Sequence, residues 1–252
     1  MKSFNQELKS ALVAEIRKHR EQDQVVQGTY GTYEEGKFRG CAVGCAIHSY
    51  LVAAGEDSIV VGNSKYHEKY EALFGIPKIL AELQDIIHEG LSDESFPTWP
   101  ERFMEAVPTE TDLSLVFPKF ALWFLIDEEN GILREAQFLQ HREAIQNAAR
   151  LFSAIIEKEH IPPQVLRDCA DVAYGVKNRA RAGGDSDRVS RAACAIILSY
   201  ITPYGTRITL ASVLDTGARL RSRICFSETS EYYEKCAEKL IELLKAEGNE
   251  RI

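Results

Sequence analysis

The chain has 252 residues, 45% of them hydrophobic and 27% charged, with a formal net charge of −8 at neutral pH. Such values belong to an ordinary globular protein with enough chain to bury a real core, and they argue against disorder and against a membrane class. An acidic total argues against general nucleic-acid binding. The longest apolar runs, Ala192 to Ile201 and the stretch from Leu113 to Ile126 broken by Pro118 and Lys119, fall short of the roughly 20 residues that span a bilayer.

The amino terminus turns polar at Lys2-Ser3 and lacks the apolar core of a signal peptide, so a cytoplasmic location is expected. The six cysteines then read as reduced thiols. Phe4, Leu8, Leu12 and Ile16 recur at helical spacing behind Ser3, with Gln6 three places on, which is the order of a capping box. Residues 24–38 carry strand-forming side chains crossed by glycines, and at most one short hairpin is expected there. Ile79, Leu80, Leu83, Ile86 and Ile87 follow Pro77 at a first-turn position, and Gly90 can end that helix.

A long helix is expected over 134–159, stopped by Pro162-Pro163. Val165, Cys169, Val172 and Val176 continue the period up to Gly183-Gly184, a further helix runs from Asp185–Asp187 to Ile201, and a last one carries Tyr233, Cys236, Ala237, Leu240, Leu243 and Leu244. Cys169, Cys194, Cys225 and Cys236 sit in these patterns as small core residues. The expected fold is therefore all-α, an irregular or orthogonal multi-helix bundle. A compositional boundary at Asp127–Gly131 suggests two helical subdomains, 1–126 and 132–252, or one continuous domain.

Charge is unevenly spread. Nine acidic residues stand against Arg102 alone between Glu82 and Asp112, and nine basic against three acidic between Lys177 and Arg223. Basic helix positions that partly neutralise the acidic segment explain this, and a surface for an acidic partner at Arg188 and Arg191 is the alternative.

The densest window is 28–48, with five glycines, Cys41, Cys45 and His48. On a helix, Cys41, Cys45 and His48 fall at i, i+4 and i+7, on one face against the glycine-rich loop. The same positions suit a buried helical stripe, a metal site or a reactive thiol. Structural zinc needs four converging ligands and no second Cys/His pair has ligand spacing, so His67 or His88 could complete a set only through folding, and no metal or cofactor is expected. As a nucleophile Cys41 is favoured: Arg39-Gly40 and the helix start should lower its pKa, with His67, His88 or His141 as the base, since His48 is two turns away. The glycine spacing matches neither a phosphate loop nor a dinucleotide fingerprint.

The block Gln27-Gly28-Thr29-Tyr30-Gly31 through Gly40-Cys41-Ala42-Val43-Gly44-Cys45, continued by Gly75-Ile76-Pro77, Glu89-Gly90-Leu91 and Trp99-Pro100-Glu101-Arg102-Phe103, resembles a family of uncharacterised bacterial and phage-associated proteins. The alanine-rich helices of the second half are similar to helical immunity proteins. The first resemblance implies no reaction. The leading expectation is a non-enzymatic helical protein that binds a protein partner, as an immunity-like or phage-related inhibitor, with Arg39, Cys41, Cys45, His48, Arg188 and Arg191 as candidate contacts. The alternatives are a cysteine-dependent enzyme using Cys41, and nucleotide or nucleic-acid binding through 177–191.

Overall fold

A computed structural model describes residues 4–55, 66–136, 138–162, 164–169, 171, 196 and 227–249. The chain divides into two compact units, Met1–Leu113 with Glu234–Ile252, and Ser114–Tyr233. The division falls before the Asp127–Gly131 boundary because the apolar helix at Val116–Ile126 packs on the helix that follows it. The architecture is mostly helical with a single two-stranded antiparallel hairpin among the described residues, as the sequence periods require.

The first unit contains α1 (Gln6–Glu21), β1 (Thr32–Glu34), β2 (Lys37–Arg39), α2 (Ala42–Ala54), α3 (Tyr66–Phe74), α4 (Lys78–Gly90) and α5 (Trp99–Ala106). The N-cap of α1 is Asn5, whose side-chain oxygen accepts the Leu8 amide at 2.9 Å, so the cap lies two residues after the expected Ser3. Phe4, Leu12 and Ile16 are buried as the period predicts. The hairpin pairs Thr32 with Arg39, Tyr33 with Phe38 and Glu34 with Lys37. Its two-residue turn, Glu35-Gly36, has φ of 52° and 78°, the left-handed pair that matches strand twist.

The middle of this unit is α2, which touches α1, α3, α4 and α5. Every residue from Ala42 to Ser49 is buried, so Cys41, Cys45 and His48 belong to a helix covered on all sides and not to one buried stripe. Its packing demands small residues. A Cβ built on Gly44 would lie 1.5 Å from the Tyr30 carbonyl oxygen, and one on Gly40 2.6 Å from the same atom. The segment before the hairpin thus lies directly on the first turn of α2, the close approach that the glycines were expected to permit.

The acidic residues of α5 are met within the unit. Arg17 and Arg20 of α1 pair with Glu101 at 2.6 and 3.1 Å, Arg17 also reaches Glu105 at 3.3 Å, and Lys9 donates to the carbonyls of Glu105 and Val107. Neutralisation of the acidic segment therefore comes in part from the first helix.

In the second unit, α6 (Val116–Ile126) packs along α7 (Leu139–Ile156), with a short 3-10 turn at Ile132–Glu135 beside both. This turn occupies the beginning of the expected 134–159 helix. Arg142 donates from the first turns of α7 to the carbonyls of Leu133 and Ala136. The last helix, α8 (Ser227–Asn249), begins in the second unit and from Glu234 onward belongs to the first; it buries Tyr233, Cys236, Ala237, Leu240, Leu243 and Leu244 as expected, and Cys169 of the second unit is half-buried. No helix among the described residues is long and apolar enough to cross a membrane.

Candidate functional site

Four segments meet at the start of α2. Cys41 is its N-cap, with extended backbone angles of −70° and −179°, and its amide donates to the Thr29 carbonyl at 2.7 Å. The Cys45 amide returns to the Cys41 carbonyl at 2.9 Å, the first bond of the helix. This holds the Cys41 sulfur close to the carboxylate of Asp85 in α4, whose charge acts on it. On its other side, the Asp85 Oδ2 lies 3.2 Å from Nε2 of His67 in α3. Glu89 follows Asp85 by one turn of the same helix, and ligand atoms of Cys41, Asp85 and Glu89 all lie within 4.8 Å of one another.

The surroundings fix this cluster. The Gly28 amide donates to Glu89 Oε2 at 2.8 Å, and the Gln27 side chain donates to the His88 and Leu91 carbonyls. Tyr70 donates to Gln84 Oε1 at 3.1 Å, and the indole of Trp99 to the Gln84 carbonyl at 3.0 Å. The Tyr30 ring covers Tyr66 and His67, with centroids 5.0 and 5.6 Å away. Cys41, Asp85, His67 and Tyr70 are buried, whereas Glu89 and Tyr30 are half-buried and lie on the solvent side. Cys41 is buried, and its amide is tied to Thr29 of the 27–30 segment.

Electrostatics correct one expectation. The Cys41 thiol is pushed well above its ordinary value, first by burial and then by the Asp85 charge, and the Gly44 amide at the helix start opposes this without overcoming it. Arg39, expected to favour the thiolate, pairs instead with Glu34 at 3.0 Å. Burial also raises the Tyr70 hydroxyl, and lowers His88, whose Nε2 is 3.0 Å from the Val26 carbonyl.

Cys41, Cys45 and His48 do not converge on one point. The Cys45 sulfur donates to the Gly40 carbonyl at 3.2 Å, and burial pushes its thiol up to about 12. His48 stacks flat on Phe38, centroids 4.0 Å apart, and its Nδ1 is 3.0 Å from His19 Nε2. The reason is geometric: α2 is surrounded, so each residue meets a different neighbour. Arg188 and Arg191, with the rest of the 177–191 segment, Cys194 and Cys225, lie outside the described residues.

The His19–His48 pair has its own pH dependence. Burial followed by the neighbouring imidazole lowers His48 to about 4, with Glu15 opposing, and burial lowers His19 against its bond to Gln24. The native state therefore favours neutral rings, and this stability is complete above the unfolded value near 6.5 and is lost as pH falls toward 4. Replacing His48 by Phe, which keeps the stack on Phe38 and removes the titration, is expected to reduce the acid-induced loss by on the order of 1–2 kcal/mol, a figure discounted for solvent screening. Urea unfolding of both proteins at pH 7.5 and 4.5 measures this; equal losses would exclude His48 as the titrating group.

Sequence reasoning named Cys41 and offered His67 as a partner through folding, but missed Asp85 and Glu89. No local signal singles them out, because α4 also carries Lys78, Glu82, Gln84 and His88, and carboxylates at i and i+4 are ordinary on a helix. Comparison with family models, with curated proteins and with solved structures finds no match to this chain.

Proposed function

We propose that the first unit is a thiol-dependent enzyme that attacks an electrophilic carbonyl carbon through Cys41. The observation that carries this reading is the juxtaposition of Cys41, Asp85 and His67, contributed by α2, α4 and α3 at one buried point, with the Cys41 sulfur within 4.8 Å of an Asp85 oxygen and Asp85 3.2 Å from His67. In the resting state the thiol is protonated, and Asp85 is the carboxylate nearest to it among the described residues of the cluster. As sulfur attacks, the proton passes to Asp85, the carbonyl carbon forms a bond to sulfur, and the leaving group departs with the proton from Asp85. Water then cleaves the thioester, returning the thiol and releasing the acid. His67 is a positioning residue, holding the carboxylate through Oδ2. Stabilisation of a resting thiolate by Arg39 and the helix start is not needed in this scheme, because the base acts during attack. A reducing, cytoplasmic setting suits the chemistry.

The protein-partner reading drew its support from the charge asymmetry, the helical architecture and the lack of a recognisable catalytic set in the sequence. Within the first unit that asymmetry is partly met by Arg17, Arg20 and Lys9, which weakens the need for an external cationic surface.

Incubating the full chain with p-nitrophenyl acetate, a small activated acyl donor, is expected to acetylate Cys41 ahead of Cys45 and Cys236, as read by peptide mass spectrometry. Asp85→Asn should slow this step by about 10²-fold or more, with circular dichroism confirming the fold, and Cys41→Ala should remove the label. Equal acetylation of the cysteines, or labelling of Cys41 indifferent to Asp85→Asn, would overturn the reading.

A further inference from the structure

We propose that Cys41, Asp85 and Glu89 also form a binding site for one divalent cation of borderline softness, with zinc the best match. This goes beyond the thiol reading and does not depend on it. The donors are a sulfur and two carboxylates brought from two elements, and their ligand atoms already lie within 4.8 Å of one another. Zinc bonds of about 2.3 Å to sulfur and 2.0–2.2 Å to oxygen place tetrahedral ligands about 3.5 Å apart, so modest side-chain rotations complete the closure.

The donor set selects the ion. A thiolate excludes magnesium and calcium, and mixed sulfur and carboxylate ligation suits zinc. Both carboxylates are oriented from outside the trio, Glu89 Oε2 by the Gly28 amide and Asp85 Oδ2 by His67, as ligating carboxylates are. Charge balance is compatible with the same ion. Cys41 and Asp85 are almost fully buried, and once the thiol proton has left, a divalent cation offsets the charge of the thiolate and the carboxylates.

A separate observation comes from His88. It is fully buried, its Nε2 meets the Val26 carbonyl, and its Nδ1 has no hydrogen-bond partner although the ring interacts electrostatically with Asp85. The ring therefore lies within the electrostatic range of Asp85, and a cation held there would act on it too. Binding converts Cys41 S–H to a metal–sulfur bond and releases the proton to solvent. Three protein ligands leave a fourth position for water. Because the ion engages the sulfur electrons needed for attack, occupancy and acylation exclude each other, and zinc would act as a reversible inhibitor of the thiol.

The test is cobalt titration of the chelator-treated full chain. A near-ultraviolet sulfur-to-cobalt charge-transfer band that saturates at about one ion per chain and is displaced by zinc is the expected result. Cys41→Ser should remove the band, and Glu89→Gln, at a half-buried position tolerant of substitution, should weaken binding by at least about tenfold. Absence of the band, its survival in Cys41→Ser, or unchanged affinity in Glu89→Gln would overturn the proposal. Repeating the acetylation with and without zinc separates the two readings. Acetylation of Cys41 without a cobalt band removes the cation site alone, a band without acetylation removes the thiol enzyme alone, and zinc-blocked acetylation supports both.

Discussion

Gly44→Ala is expected to destabilise the first unit by about 3 kcal/mol or more, the upper range for overpacking a close contact. In an exposed helix the same change would stabilise by about 1 kcal/mol, because alanine is the better helix former. Here the added methyl would fall 1.5 Å from the Tyr30 carbonyl oxygen and 2.6 Å from its carbon. Those are backbone atoms, so relief requires moving the whole segment. That segment carries the Thr29 carbonyl that accepts the Cys41 amide and the Gly28 amide that holds Glu89. The substitution should therefore lower the melting temperature by roughly 10 °C and disturb the site in the molecules that still fold. A melting temperature equal to or above that of the parent would show that the segment does not press on α2.

The second large effect is expected at Trp99. Its side chain is completely buried, lies 5.8 Å from the Phe103 ring, and donates to the Gln84 carbonyl in the turn of α4 that precedes Asp85. Trp99→Ala removes a large buried volume as well as the bond, and should cost about 3–5 kcal/mol. Trp99→Phe keeps most of the packing and loses the donor, for about 1 kcal/mol. Urea unfolding followed by circular dichroism measures both changes. If the two variants lose equal stability, the hydrogen bond dominates and the packing argument fails.

Apolar periodicity was sufficient for α1 and α4, because Phe4, Leu12 and Ile16 or Leu80, Leu83 and Ile87 point to the core wherever it lies, whereas the short helices α3 and α5 and the almost wholly apolar α6 gave no such period. Helix ends were less legible. Ser3 and Asn5 are both good caps, and only the Asn5 bond to Leu8 distinguishes them; likewise the 3-10 turn at Ile132–Glu135 keeps helical composition without joining α7. The site was half legible. Cys41 stands out for its glycine-rich approach, whereas Asp85 and Glu89 have the spacing of an ordinary solvated helix face. What distinguishes them is that α4 packs on α2, a tertiary fact with no local signature. The pKa expectation failed for the same reason: a helix start lowers a thiol pKa where solvent is near, and at Cys41 burial and Asp85 outweigh it.

The ties of Gln27 and Gly28 to α4 span 61 and 64 positions of chain. Loop-closure entropy grows only slowly with such separation, but contacts this distant form after local helices do. During synthesis at about 5–20 residues per second, α1 and α2 emerge several seconds before Asp85 and Glu89 can reach Cys41. A nascent chain thus holds an uncovered Cys41 thiol for that interval, and the cysteine becomes enclosed only when α4 leaves the ribosome and docks.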